Sequence, residues 1–221
     1  MKLSPETVSI LKNFATIQPN LIVHAGSTIK TLAESKSIQA EAQVAETFDT
    51  PFGIYDLNEF LTVYNLMEDP EVTFNDDHLT LKSGNSTMTY RFAETKNLTS
   101  PTKSIKLDEG DVTVNLVENQ VASIRSAAAA LGHGIVGFIG DGKKIKVVVH
   151  DPSGSNANKL EIDLGQSTDQ TFELNCRVAE IKVLPGDYEV ILSKKLLSKW
   201  VNKTANTVIY YIALDTRSSF N

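Results

Sequence analysis

The hydrophobic positions of the chain change period several times, and each change marks an element. In SPETVSILKNFATI, residues 4–17, Thr7, Ile10, Leu11 and Phe14 recur at the spacing of one helix face. Ser4 suits the N-cap, Pro5 the first helical position and Glu6 the first turn. The opposite face reads Pro5, Ser9, Lys12 and Thr16. The period then drops to that of strands at residues 21–25, 28–33, 38–44 and 52–55, separated by turn-like AGS and ESKS. DLNEFLTVYNLM, residues 56–67, returns to helix, with Asp56 and Glu59 as a capping pair and Leu57, Phe60, Leu61 and Tyr64 inward. Strands resume at 71–74, 78–82 and 87–92, with turns at Asn75-Asp76-Asp77 and Gly84-Asn85.

ETKNLTSPTKSIKLDEGD, residues 94–111, sustains no period and reads as an extended connector. It places a first domain at residues 1–105, connector included, and a second at 106–221. Beyond it the order repeats. A strand at 112–116 precedes a helix at 118–132, with Val117, Val121, Ile124, Ala128 and Leu131 on one face and Gly132 ending it. Strands are expected at 135–139, 144–150, 159–164, 171–175, 188–193 and 208–214. RVAEIKVL, residues 177–184, reads as either a short helix or a strand, stopped by Pro185-Gly186-Asp187. The fold class is therefore α+β: two similar, sheet-rich domains with few helices. The halves share the order of their elements and almost no residue identity.

Composition narrows the function. A hydrophobic content of 41% over 221 residues supports a full core. One cysteine, Cys176, precludes an internal disulfide. No apolar run approaches the ~20 residues that cross a bilayer, and MKLSPETV lacks a signal-peptide core. A soluble intracellular protein is expected. Its net charge of -6 argues against a generally nucleic-acid-coating surface but leaves room for a local basic lining.

Catalytic chemistry finds little support. GHGIVG, residues 132–137, matches the letters of a dinucleotide motif, but a helix precedes it and a strand follows, the reverse of what that site needs. His24, His78, His133 and His150 are scattered without ligand spacing, so no metal and no cofactor are expected. Cys176 has no histidine nearby in sequence and reads as a buried small residue. Sequons at Asn85, Asn97 and Asn202 are idle without a secretory signal.

The helix surfaces are more informative. The outward side of the 118–132 helix offers Asn119, Ala122, Ser123, Arg125, Ser126, Ala129 and Ala130, with no acid beyond Glu118. The first helix does the same through Ser9, Lys12 and Thr16. In a chain with 27 acids, such faces suit a polyanion held at a distance, although composition alone can also produce them by chance.

MKLSPETVSILKNFATI, IYDLNEFL (54–61), PGDYEVIL (185–192) and YYIALDTRSSF (210–220) together resemble the sliding clamps of T-even-type bacteriophages. The resemblance implies two similar domains per subunit, strands outside and helices inside, with three subunits closed head to tail. Such a homotrimer would encircle double-stranded DNA without reading sequence and tether the phage DNA polymerase. An ATP-driven clamp loader would load it, and it would serve as a mobile activator of late transcription in the cytoplasm of the infected host. On this reading Lys12 and Arg125 line the bore, joined by Lys2, Arg177 and Lys182. By analogy with the fold, Thr87, Tyr90 and Phe92 on one strand would meet Leu160 and Ile162 of the neighbouring subunit. The alternatives are a non-enzymatic structural or assembly protein of a phage, and an enzyme using Cys176 as nucleophile.

Overall fold

The computed structural model describes residues 1–151, 157–204 and 207–221, and the chain forms two compact units, Met1–Ser104 and Ile105–Asn221. Unit 1 runs α1 (Pro5–Ile17), β1 (Leu21–Val23), β2 (Gly26–Leu32), β3 (Ile38–Phe48), β4 (Phe52–Ile54), α2 (Leu57–Asn65), β5 (Glu71–Phe74), β6 (His78–Ser83) and β7 (Ser86–Arg91). Every pairing is antiparallel: β1 with β4, β2 with β3, and β5-β6-β7 as a meander.

Helix α1 begins where the sequence places it. Ser4 Oγ accepts from the Thr7 amide at 3.1 Å, and Ile10, Leu11, Phe14 and Ile17 are buried. A second anchor reaches it from β3. The carboxylate of Glu46, itself buried, accepts from the Ser4 amide and from the Thr7 hydroxyl. A carboxylate there satisfies free amides and complements the positive end of the helix. Asp56 caps α2 by accepting from the amides of Asn58 and Glu59 at 2.9 and 3.2 Å. The two helices pack on each other, and the core beneath them gathers Leu21, Ile29, Leu57 and Leu79 with Phe48, Phe52 and Phe74.

Unit 2 runs β8 (Val112–Leu116), α3 (Glu118–Leu131), β9 (Ile135–Asp141), β10 (Lys144–His150), β11 (Leu160–Ser167), β12 (Thr171–Arg177), β13 (Tyr188–Ser193), β14 (Leu197–Asn202), β15 (Val208–Ala213) and β16 (Ser219–Phe220). One antiparallel sheet has the order β11-β10-β9-β12-β16; within this unit the other runs β8-β13-β14-β15. The core is aromatic, with Trp200, Tyr188, Tyr210, Phe138 and Phe172 fully buried. Helix α3 lacks a side-chain cap at Val117; instead the Glu118 amide donates to Asp187 at 2.8 Å, so the Pro185-Gly186-Asp187 turn supplies the missing acceptor. Gly132, at φ 68°, ends α3 in the left-handed conformation, and Ile135 opens β9.

Three expectations change. Residues 177–184 hold only a fragment of each alternative: Arg177 closes β12, a short 3-10 helix covers Val178–Glu180, and the chain continues irregularly to β13. Val117, assigned to the inward face, is 50% exposed. The pattern missed β14, whose buried positions are Ser198, Trp200 and Asn202. Two of those three are polar, which inverts the inward-apolar rule. They are tolerated because Ser198 Oγ donates to the Ile212 carbonyl at 2.9 Å and Asn202 Nδ2 to the Tyr188 hydroxyl at 2.8 Å.

Candidate nucleic-acid interface

Each unit presents a helical face with few acids. On α1, Glu6, Ser9, Lys12 and Thr16 are exposed and the half-buried Val8 and Asn13 flank them. The Lys12 side chain borders a shallow groove formed with Leu3, Pro5, Val8, Ser9, Tyr64 and Asp69. On α2, the exposed positions are Asn58, Glu59, Thr62 and Asn65, so that helix contributes no cation. On α3, Glu118, Asn119, Ala122, Ser123, Ser126, Ala129 and Ala130 are exposed: small, neutral side chains over nearly the whole length.

The five cations singled out from the sequence sit in different surroundings. Lys12 is exposed. Lys2 is exposed and ion-paired with Asp69. Arg125 differs most from the reading of its face as open. It is half-buried, and its Nη2 donates to the carbonyls of Ile181 and Val183 at 2.9 and 2.6 Å. Burial shifts its guanidinium below the usual arginine range, and the neighbouring Tyr188 and Tyr210 oppose that shift. The same burial pushes the Tyr188 phenol up to about 12. Lys182 is half-buried between the buried Ile181 and Val183.

Arg177 is exposed, with its Nε 3.4 Å from Asp215 Oδ2. Asp215, a buried acid absent from the sequence reading, also accepts from the Arg217 Nε at 2.7 Å and the Arg217 amide at 3.0 Å. The Arg217 contact, above all, holds the Asp215 carboxyl well below the usual carboxylate range. Because the folded value is depressed, Asp215 stabilises the fold above the unfolded Asp value of ~3.9, and that contribution disappears as pH falls through the folded value. Asp215→Asn should therefore be less stable than the parent above about pH 5, with the gap narrowing steadily as pH falls below about 4 in urea titrations at stepped pH. The Asp-Thr-Arg spacing at 215–217 was the available signal.

The strands singled out as subunit contacts both lie at sheet edges. Strand β7 ends the meander β5-β6-β7 and β11 ends its five-stranded sheet, and neither has a buried residue. Thr87 is exposed. Tyr90 packs edge-on against Phe60 at 5.4 Å and donates to the Asp56 carbonyl at 3.2 Å, and Phe92 stacks on Phe52 at 5.0 Å. Leu160 and Ile162 are half-exposed. At the far end of β11, the Gln166 side chain pairs with both the amide and the carbonyl of Asn115 on β8, at 3.1 and 3.0 Å. That contact blunts the edge of β8 and leaves the Leu160–Asp163 stretch of β11 as an outer edge among the described residues.

Cys176 is completely buried and its thiol is pushed up to about 12 by desolvation, so it stays protonated and out of reach of a substrate. Among the described residues no group of three or more His, Cys, Asp or Glu side chains could hold a metal ion, and no helix is long and apolar enough to cross a membrane.

Residues 3–100 match the family of DNA polymerase processivity factors. The chain is 26% identical over 230 residues to a protein named sliding clamp from Enterobacteria phage T4, covering 99% of each chain. It is 26% identical over 222 residues to the sliding clamp of Vibrio phage KVP40, covering 97% of this chain and 99% of the relative. Among solved structures, A. fulgidus PCNA, determined with the C-terminal region of FEN-1, matches with a TM-score of 0.74 over 96% of both chains. At 10% identity that likeness speaks for the fold.

Proposed function

We propose that this chain is a sliding clamp, a DNA polymerase processivity factor and not an enzyme, and that three copies close head to tail into a ring that encircles duplex DNA and tethers a phage DNA polymerase. The observation that carries this reading is an alignment with the T4 sliding clamp that is 26% identical and spans 99% of both chains, so that it takes in both domains. In the ring, Thr87 and Tyr90 at the β7 edge of one subunit, with Phe92 just past the strand's end, meet Leu160 and Ile162 at the β11 edge of the next. Such an interface is heterologous and closes by rotation. An ATP-driven loader opens it, and the loaded ring also serves as a moving activator of late transcription in the cytoplasm of the infected cell.

Magnitudes explain why a ring suits the task. Non-specific DNA binding at physiological salt has dissociation constants of about 10⁻⁴–10⁻⁶ M, too weak to retain a polymerase over long synthesis. Tighter phosphate binding would retain it and stop it sliding. Enclosure prevents escape while contacts stay loose. The small side chains of α3 give the duplex clearance, and Lys12, Lys2, Arg177 and Lys182 supply scattered positive charge on the two units. Lys12→Ala should lower the salt slope of binding to a short duplex by about 0.9 for each phosphate that the lysine neutralises. An unchanged slope in anisotropy titrations across a KCl series removes Lys12 from the lining.

The direct test pairs light scattering with primer extension by a phage polymerase and loader. A trimer that lengthens products supports the proposal. A monomer, or a large assembly without effect on the polymerase, overturns it in favour of a structural phage protein.

A further inference from the structure

We propose that Arg125 is a positioning residue: it fixes the backbone on both sides of Lys182 so that this lysine, and not Arg125 itself, meets DNA phosphates. The inference rests on the reading of the lining given above. It begins with the irregular stretch that follows Glu180. Ile181 has φ -81° and ψ 64°, and the Lys182 amide donates to the Glu180 carbonyl at 2.9 Å. Those values describe an inverse γ-turn centred on Ile181. Past the turn, Ile181 and Val183 bury their side chains while Lys182 between them stays half-exposed, so the lysine reaches solvent between two anchored neighbours.

One three-residue turn holds a lysine poorly on its own. The carbonyls flanking Lys182 are the two that Arg125 Nη2 binds, at 2.9 and 2.6 Å. The next residues are secured independently. The Leu184 amide donates to the Tyr210 hydroxyl at 3.1 Å, the Tyr188 hydroxyl donates to the Leu184 carbonyl at 2.7 Å, and Asn202 Nδ2 donates to the Pro185 carbonyl at 3.3 Å. Loss of the Arg125 donors therefore loosens residues 181–183 while Leu184 and Pro185 stay in place. A guanidinium half-buried against two carbonyls is also poorly placed to meet a phosphate, because it would have to leave both.

The experiment compares Arg125→Met, Lys182→Met and the double variant in the full-length protein. It measures anisotropy of a short labelled linear duplex over a KCl series, alongside amide exchange at residues 181–183. Arg125→Gln, which retains one donor group, substitutes if Arg125→Met does not fold. The expected result is an equal fall in salt slope for the two single variants, about 0.9 per neutralised phosphate, no further fall in the double variant, and faster exchange at 181–183 in the two variants that lack Arg125 but not in Lys182→Met. An additive fall makes Arg125 a phosphate contact in its own right and overturns the proposal. A fall with Lys182→Met only, Arg125→Met matching the parent, overturns it equally. An unchanged slope with Lys182→Met, while Arg125→Met still speeds exchange, removes the DNA role of Lys182 and with it the premise, leaving Arg125 a purely structural tie.

Discussion

Ile162→Glu is expected to convert a trimer into folded monomers and to abolish clamp-dependent extension. The position lies on β11, at the outer edge of its sheet, half-exposed in the subunit. A carboxylate there is hydrated while the subunit is alone, so folding should survive with a change within about 0.5 kcal/mol, as for surface substitutions generally. In the proposed ring the same group would enter an interface between two strand edges and lose its water. An uncompensated buried charge costs about 3–5 kcal/mol, and each 1.4 kcal/mol is tenfold in a dissociation constant. With one such penalty per interface, the ring should not assemble at micromolar concentration. Ser167→Glu makes the control: it is exposed on the same strand, beyond the Gln166 contact with β8. Light scattering that gives a trimer for Ser167→Glu and a monomer for Ile162→Glu supports the assigned edge. A trimer for both places the interface elsewhere.

Glu46→Ala should cost about 2–4 kcal/mol of stability, from the sum of two orphaned donors at about 1–3 kcal/mol each, less some recovery by water. The Thr7 hydroxyl, at 0% exposure, would lose its acceptor inside the protein, and the Ser4 amide would lose its acceptor at the start of α1. Glu46→Gln retains one carbonyl oxygen and should lose less. The urea midpoint read by far-UV circular dichroism checks both. A midpoint for Glu46→Ala within error of the parent would mean that Ser4 alone anchors the helix. Because Lys12 rides on α1, a loosened start should also blur its placement.

The helices were legible because capping and period agree: Ser4 and Asp56 accept from the amides expected of them, and the buried faces of α1 and α2 are those the spacing gives. Most strands were legible by alternation. Two of the failures share one cause, which is a polar residue on an inward register. On β3 the inward set runs Ala40, Ala42, Val44, Glu46 and Phe48, so alternation carried past residue 44 would have put an acid in the core. Only the helix end it meets, far away in sequence, makes that favourable. Strand β14 was lost because Ser198 and Asn202 face inward beside Trp200. The acid-poor face of α3 was legible, but the fate of Arg125 depended on two carbonyls 56 and 58 residues away, for which no local pattern exists.

The chain has one tryptophan, Trp200, 1% exposed, its Nε1 donating to Ser198 Oγ at 3.0 Å. Its indole emission therefore tracks the melting of the second half alone, whereas ellipticity averages both halves. Superimposable curves from the two probes would mean that the halves melt as one cooperative block; curves that separate would give each half its own denaturation midpoint without any added label.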